Sequence, residues 1–475
     1  MSTQLDKKYN IPTIFTIFGA TGDLNKRKLL PALLDLHQQG FLPECIKIVG
    51  IGRRKFSNED YREFVKNSII KKGHRHSEEE LNSFLDHIVY YEGDFTVPEN
   101  YKKLSEKLIT IENEFGKCSN KLFYLAVSPI NYEIIFRQLA DSGLTVPCSF
   151  DTGWTRILVE KPFGEDIKTA QELDKTLGLL FKESQIFRID HYLGKETLQD
   201  VLMFRFSNLI FEPLWNNKYV EKVEILLHES LDIEGRGAFY DNVGALRDVG
   251  QNHMLQMLSF VAMENPGALN SDSIRKERSR VLESIKPINK DDIKANVLRG
   301  QYKGYKQEDG VKENSKTETY FNIKTFIDNS RWRGVPFYLE GGKGLKSKRT
   351  EIKIYFKKTD QCLCPPDKEQ NHTNVLTFRI QPNEGISILF WAKKLGLTME
   401  LEPKNLSFSY LNGDDKFADA YERILFDAIT GDQTLFTSTE EVSAAWEFIT
   451  PILENWNDLE LVEYEKGSNC RDIKL

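Results

Sequence analysis

Over roughly the first 190 residues the apolar positions fall into two alternating patterns. Short β-rich runs stand at Thr13–Phe18 (TIFTIF), Ile46–Ile51 (IKIVGI), Lys121–Val127 (KLFYLAV) and Arg156–Glu160 (RILVE). Between them, Lys28–Gln39 carries apolar residues at helical spacing, with Gly40 as its stop. Asp60–Lys71 reads as a polar amphipathic helix, and Tyr132–Ser142 as a helix ended by Gly143. Strands alternating with helices predict parallel βαβ units.

Past that point the texture changes. Helical spacing concentrates at Leu246–Ala262 and Ser273–Ile285. Long β-rich segments follow at Thr317–Phe326, Thr350–Lys357, Val375–Gln381 and Ser387–Lys394. Trp332–Leu345, rich in Gly and Lys, reads as a loop, and Asp415–Trp456 as helical. Runs of strands predict a large, mostly antiparallel sheet with helices on one face. The expected fold class is an α/β Rossmann-like coenzyme domain followed by a larger α+β domain. The 475 residues are too many for one core, and the expected division is 1–189 and 190–475. No internal repeat or low-complexity segment interrupts this pattern.

A net charge of −7 argues against nucleic acid as a partner, because such proteins carry a basic balance. The six cysteines are too few for a disulfide framework and point to a reducing compartment. Cys362, Cys364 and His372 have the wrong spacing for the usual zinc patterns, so no metal is expected. The N-terminal run is short and broken by glycines, and no stretch of about 18 apolar residues occurs. The expectation is a cytoplasmic protein that does not enter a membrane.

Four segments carry chemistry. In FGATGDLNKRK, Gly19 and Gly22 sit where a strand turns into a helix, where backbone N–H groups can approach a pyrophosphate. A plain tight turn is the alternative. Gly52-Arg53-Arg54-Lys55 ends the second strand with cations and no acid, which favours a ribose 2′-phosphate over a free hydroxyl; a solvated basic loop is the alternative. Glu160-Lys161-Pro162-Phe163-Gly164 closes a strand with an X-Pro bond, a candidate for the cis form that would aim Lys161 into a cleft. An ordinary exposed lysine reads equally from the residues.

The fourth segment is RIDHYLGKE, Arg188–Glu196. His191, Tyr192 and Lys195 supply donors of different reach for a phosphate dianion. If the segment is strand-like, Asp190 faces the opposite side from His191 and suits a histidine from elsewhere. His253, on the helical stripe of RDVGQNHMLQML, is available, although a lone helical histidine is more often a satisfied core group. Asp248 at that helix start reads as a cap.

Taken together, GATGDLNKRK, EKPFG, RIDHYLGKE, EGRGAFYDNVGALRDVGQNH and RWRGVPFYL…GGK resemble the glucose-6-phosphate dehydrogenase family over nearly the whole chain. The resemblance implies oxidation of D-glucose 6-phosphate to 6-phospho-D-glucono-1,5-lactone, the first step of the oxidative pentose phosphate pathway. The implied coenzyme is NADP, with NAD as a weaker alternative. It implies His253 as general base and Asp190 as its carboxylate partner. It places His191, Tyr192 and Lys195 at the phosphate, Glu229 and Asp248 at sugar hydroxyls, and Lys28, Lys343 and Lys348 near the substrate. Gly19, Ala20, Thr21, Gly22, Asp23, Leu24 and Arg53 match coenzyme positions, with Tyr132 and Lys161 toward the nicotinamide half. It also implies a homodimer, or a dimer of dimers, formed through the big sheet.

The chain departs from the family pattern at Glu340, where an arginine is expected, at Gly250, where a larger apolar residue is usual, and at Ser128, which replaces a proline. The first would weaken the anion field near Lys343. The second would loosen the helix start by up to about 1 kcal/mol. Two alternatives stand beside the main reading. One is an oxidoreductase for another sugar or sugar phosphate, since EKP after a Rossmann domain occurs in a wider set of sugar dehydrogenases. The other is a silent binding homologue, against which His253 and Asp190 both argue.

Overall fold

A computed structural model describes residues 9–71, 76–147, 153–358, 372–410, 418–469 and 473. Cys362 and Cys364 lie outside these residues. Cys45 is free and exposed, and Cys118 is disulfide-bonded, a bond the sparse cysteines gave no reason to expect. Among the described residues no helix is long and apolar enough to cross a membrane.

The first sheet contains β1 (Thr13–Phe18), β2 (Ile46–Gly52), β3 (Ile88–Glu92), β4 (Asn120–Leu125), β5 (Thr155–Glu160) and β6 (Ile186–Ile189). They run parallel in the order β6-β5-β4-β1-β2-β3. Every residue of β1 and β4 is buried, as expected where helices cover both faces of a parallel sheet. The strand order reverses between β1 and β4, which opens a crevice at their C-terminal ends. Asn25–Leu29 and Leu30–Gln38 form one helix directly after β1.

The second sheet is built from β7 (Val220–His228), β8 (Val297–Tyr302), β9 (Tyr320–Phe326), β10 (Pro336–Gly342), β11 (Arg349–Phe356), β12 (Val375–Gln381), β13 (Gly385–Lys393) and β14 (Leu401–Ser409). Phe436–Thr437, β15, crosses back to pair with β6 in the first sheet, and β16 (Leu461–Tyr464) closes the second. The order is β14-β13-β12-β11-β7-β10-β9-β8-β16, antiparallel except at β7–β10 and β8–β16. Leu246–Met254 and Leu255–Ala262 form a continuous helix against β7 and β10. Its second half is buried at every position, and each fully buried Leu, Met or Phe contributes about 1.5–3 kcal/mol.

One expected loop is a strand. Pro336–Gly342 lies inside the Gly- and Lys-rich Trp332–Leu345 segment, yet it pairs with both β7 and β9. Its side chains alternate, with Phe337 and Leu339 buried and Tyr338 and Glu340 half-buried. The two glycines that suggested a loop make room for neighbouring rings. A Cβ on Gly341 would lie 2.8 Å from the Phe321 ring, and one on Gly342 would lie 2.7 Å from Tyr320.

The C-terminal helices pack beside the first sheet. Tyr421, Ile424, Leu425 and Ala428, on the helix Ala420–Thr430, share a core with Phe15, Ile17 and Leu33. That core joins residues about 400 positions apart in the chain, so the coenzyme-side layer is not built from the N-terminal part alone.

Candidate active site

The candidate site begins where β6 stops. Asp190 follows Ile189, and its Oδ1 accepts the Tyr192 N–H at 3.0 Å, which fixes the turn. The same oxygen meets His253 Nδ1 at 2.5 Å, and both residues are buried. Burial pushes the His253 imidazolium below its usual range, while the Asp190 charge works the other way. Burial would raise the Asp190 carboxyl, but His253 outweighs it, and the carboxyl lies below its ordinary value. The resting pair is therefore a neutral imidazole held by a carboxylate, with the other ring nitrogen free to take a proton.

His253 sits in a π-helical stretch, Leu246–Met254, rather than the regular helix its spacing predicts. The Asn252 side chain donates to the carbonyls of Arg247 (3.2 Å) and Asp248 (3.1 Å) and accepts the His253 N–H at 2.7 Å. Such widened turns rotate a side chain relative to the regular helix and recur at functional sites. Gly250 belongs to this packing. A Cβ there would stand 2.6 Å from Leu246 Cδ1 and 3.0 Å from Phe321 Cζ. The expectation that Gly250 merely loosens the helix start omitted Phe321, which fills the space between Gly250 and Gly341.

The alternation argument for Asp190 and His191 fails, because the strand ends one residue earlier. The His191 ring stands 4.7 Å from His253 and the Tyr192 ring 4.2 Å, so Asp190, His191 and Tyr192 all gather around His253. Burial drives the His191 imidazolium well below its ordinary value, with His253 adding to the effect. Its ring is thus a neutral donor, and the lysines carry the positive charge. Asp190, His191 and His253 place three ligand-type atoms within 4.8 Å, but Asp190 and His253 already spend one atom each on one another.

A cavity of about 410 Å³ opens beside His191, lined by Lys28, Lys195, Gln381, Asp419 and Tyr421 among others. Lys195 Nζ donates to Gln381 Oε1 at 2.9 Å, and Gln381 Nε2 donates to the Tyr192 hydroxyl at 3.0 Å. Lys28 reaches Asp419 at 2.9 Å. Burial lowers the Lys195 ammonium, the charges of Glu384 and Asp419 work against this, and those of Lys28 and Lys348 lower it further, so all three cations lie within electrostatic reach of one another. Gln381 was missed as a site residue, although its place at a strand end before Pro382 marked a turn. Nothing local marked Asp419 or Tyr421, which arrive from the far end of the chain.

On the other side of His253, Lys161 Nζ donates to the Asp248 carbonyl at 2.6 Å and lies 3.2 Å from its carboxylate. The Lys161–Pro162 bond is cis. Lys343 reaches Asp248 at 3.3 Å and also pairs with Glu229. Burial would raise the Asp248 carboxyl, but Lys161 and then Lys343 hold it well below the carboxylate range. Asp248 therefore does not act as a simple helix cap. The departure at Glu340 has a local partner, since its carboxylate meets His228 Nε2 at 2.9 Å.

At the crevice, Gly19 has φ +88, and a Cβ on it would stand 2.3 Å from the Ala126 carbonyl oxygen. The Gly19 and Ala20 N–H groups bond Ile51 O, and the Gly22 N–H bonds Gly19 O. Those of Thr21, Asp23 and Leu24, at the helix start, face no such carbonyl among these turn bonds. Arg53 is exposed at the end of β2. Asp94, just past β3, is lowered first by hydrogen bonds from Thr96 and also by Arg53, an acid that the second strand alone did not reveal. Tyr132 donates to the Glu160 carbonyl at 2.9 Å. Glu160 is half-buried between Tyr124 and Tyr421, and its desolvation there pushes its carboxyl up to about 7.

Residues 16–200 match the family described as "Glucose-6-phosphate dehydrogenase, NAD binding domain", and residues 202–472 match "Glucose-6-phosphate dehydrogenase, C-terminal domain". The chain is 41% identical over 468 residues to the glucose-6-phosphate 1-dehydrogenase of Bacillus subtilis (strain 168), covering 96% of this chain and 94% of that protein. It is 42% identical over 466 residues to that of Borreliella burgdorferi, covering 95% and 94%. A solved glucose-6-phosphate dehydrogenase in complex with its substrate glucose 6-phosphate superimposes with a TM-score of 0.89 at 36% identity, covering 99% of this chain and 96% of that one. A levoglucosan dehydrogenase complexed with NADH shares the fold at a TM-score of 0.52 and 8% identity. The parallel coenzyme sheet, the large mostly antiparallel sheet and these matches agree, and the chain belongs to the glucose-6-phosphate dehydrogenase family.

Proposed function

We propose that this chain oxidises D-glucose 6-phosphate to 6-phospho-D-glucono-1,5-lactone, with NADP as the preferred coenzyme. The observation that carries the reading is the buried Asp190–His253 pair, set between a lysine-lined cavity and the Lys161–Asp248–Lys343 cluster. The crevice residues fit a nicotinamide dinucleotide. Gly19 keeps the turn free of a Cβ, and the Thr21, Asp23 and Leu24 N–H groups meet a pyrophosphate at a helix start. When bound, this coenzyme accepts a hydride from the sugar's anomeric carbon.

His253 takes the proton of the anomeric hydroxyl through its free nitrogen as the carbonyl of the lactone forms. Asp190 holds the ring's orientation and stabilises the imidazolium that results. Lys195, Lys28 and Lys348 supply charge to the phosphate, while Tyr192 and neutral His191 supply donors. Glu229, Asp248 and Lys343 bond sugar hydroxyls. Anchoring the phosphate far from the reacting carbon fixes that carbon against the base. Arg53 and Arg54 support NADP by offering cations where the ribose 2′-phosphate would lie.

The test is reduction of NADP or NAD, followed by the absorbance of the reduced nicotinamide, with glucose 6-phosphate or unphosphorylated glucose. A signal with glucose 6-phosphate and NADP, absent with glucose, is the expected result. Equal turnover of both sugars would remove the phosphate-anchoring argument, and turnover with NAD alone would remove the role given to Arg53. The sheet edge at β14 exposes Leu406 and Phe408, which supports a dimer closed through this sheet; sedimentation of purified protein as a monomer would exclude it.

A further inference from the structure

The phosphate cavity holds three carboxylates, Glu196, Glu384 and Asp419, and among the described residues only Asp419 is bonded to a lysine of the cavity, Lys28. Asp419 is the N-cap of the helix Ala420–Thr430, and its Oδ1 accepts the Tyr421 N–H at 2.9 Å. Its Oδ2 has a different partner, Lys28 Nζ, at 2.9 Å. Capping needs only one of the two oxygens. The second one ties down a lysine that lines the same cavity as His191 and Lys195. Both side chains of this pair are 44% exposed, so the pair is weak and separable. Asp419 also lies within electrostatic reach of Lys195.

We propose that Asp419 is a positioning residue that sets the affinity for the phosphate of the substrate by holding Lys28 against the start of the helix Ala420–Thr430. A phosphate dianion entering the cavity has to share Lys28 with Asp419 and sits beside a like charge. The helix Ala420–Thr430 thereby tunes a site whose main residues lie in the first half of the chain. The inference rests on the reading of glucose 6-phosphate as substrate.

Asp419→Asn tests it, because asparagine caps a helix as well as aspartate and removes only the charge. KM for glucose 6-phosphate should fall about two- to fivefold, the range of an exposed ion pair, with kcat unchanged. The gain should shrink as salt is added. It should also shrink when Asp419→Asn is made in a Lys28→Met background, since only the like charge beside the phosphate and the reach to Lys195 then remain. An unchanged or raised KM, or an equal gain without Lys28, overturns the proposal. Calorimetric binding of inorganic phosphate to the wild type and to Asp419→Asn needs no turnover. Tighter phosphate binding in the variant of an enzyme that ignores glucose 6-phosphate would defeat the substrate reading and leave the role of Asp419 standing. Equal phosphate binding in an active enzyme would defeat the role of Asp419.

Discussion

The two ends of the site are built differently. At the base end, Asp190 and His253 are buried, bonded at 2.5 Å, and backed by a helix that is buried at every position. At the phosphate end, Lys28 and Asp419 are half in water, and the cavity of about 410 Å³ mixes cations with carboxylates. A buried pair is preorganised, because reorienting it would cost hydrogen bonds that no water replaces. An exposed ion pair is adjustable, because water and salt screen it. The difference teaches that substitutions at the base end should appear in kcat, and those at the phosphate end in KM.

The strongest way to break this comparison is His253→Asn. Loss of the proton acceptor should lower kcat by about 10²–10⁴-fold with KM for glucose 6-phosphate nearly unchanged. Steady-state kinetics showing a large KM effect and a near-normal kcat would place the base elsewhere. Next is Arg53→Ala, expected to raise KM for NADP about tenfold or more while sparing NAD. Equal effects on the two coenzymes would show that Arg53, with Asp94 beside it, reads no 2′-phosphate.

The pH profile sharpens the same contrast. Burial lowers His253, so the neutral, proton-accepting form persists to a more acid pH than for a free histidine. The acid limb of kcat should therefore fall below the ordinary imidazole value of 6.5, and activity should be lost as pH drops through it. A limb well above that value would contradict the burial argument. The smallest expected effect is that of Glu340→Gln. Because this carboxylate already meets His228, KM for glucose 6-phosphate should change by less than about twofold. A large fall in KM would mean that Glu340 does weaken the anion field around Lys343.

Much of the coenzyme layer was legible. TIFTIF, IKIVGI, RILVE and the first five residues of KLFYLAV all became strands, because central strands of a parallel sheet are apolar on both faces and stand out as runs. The second sheet was harder to read. β7 and β8 left no clear run, and β10 hid behind two glycines whose reason is Tyr320 and Phe321 on the neighbouring strand. Local spacing cannot reveal a glycine that exists to admit a distant ring.

By itself, the sequence determined the βαβ rhythm, the glycine turn after β1, the cluster RIDHYLGKE and the family its motifs point to. These are local properties, carried by residues within a few positions of one another. The family resemblance already implied that Asp190 partners His253; only the tertiary structure decided that Asp248 stands between Lys161 and Lys343 and that Asp419 holds Lys28. Each of these contacts joins residues from separate elements. Whether a carboxylate caps a helix, tunes a base or restrains a lysine depends on which charge the packing brings within a few ångströms, and spacing along the chain does not encode that distance.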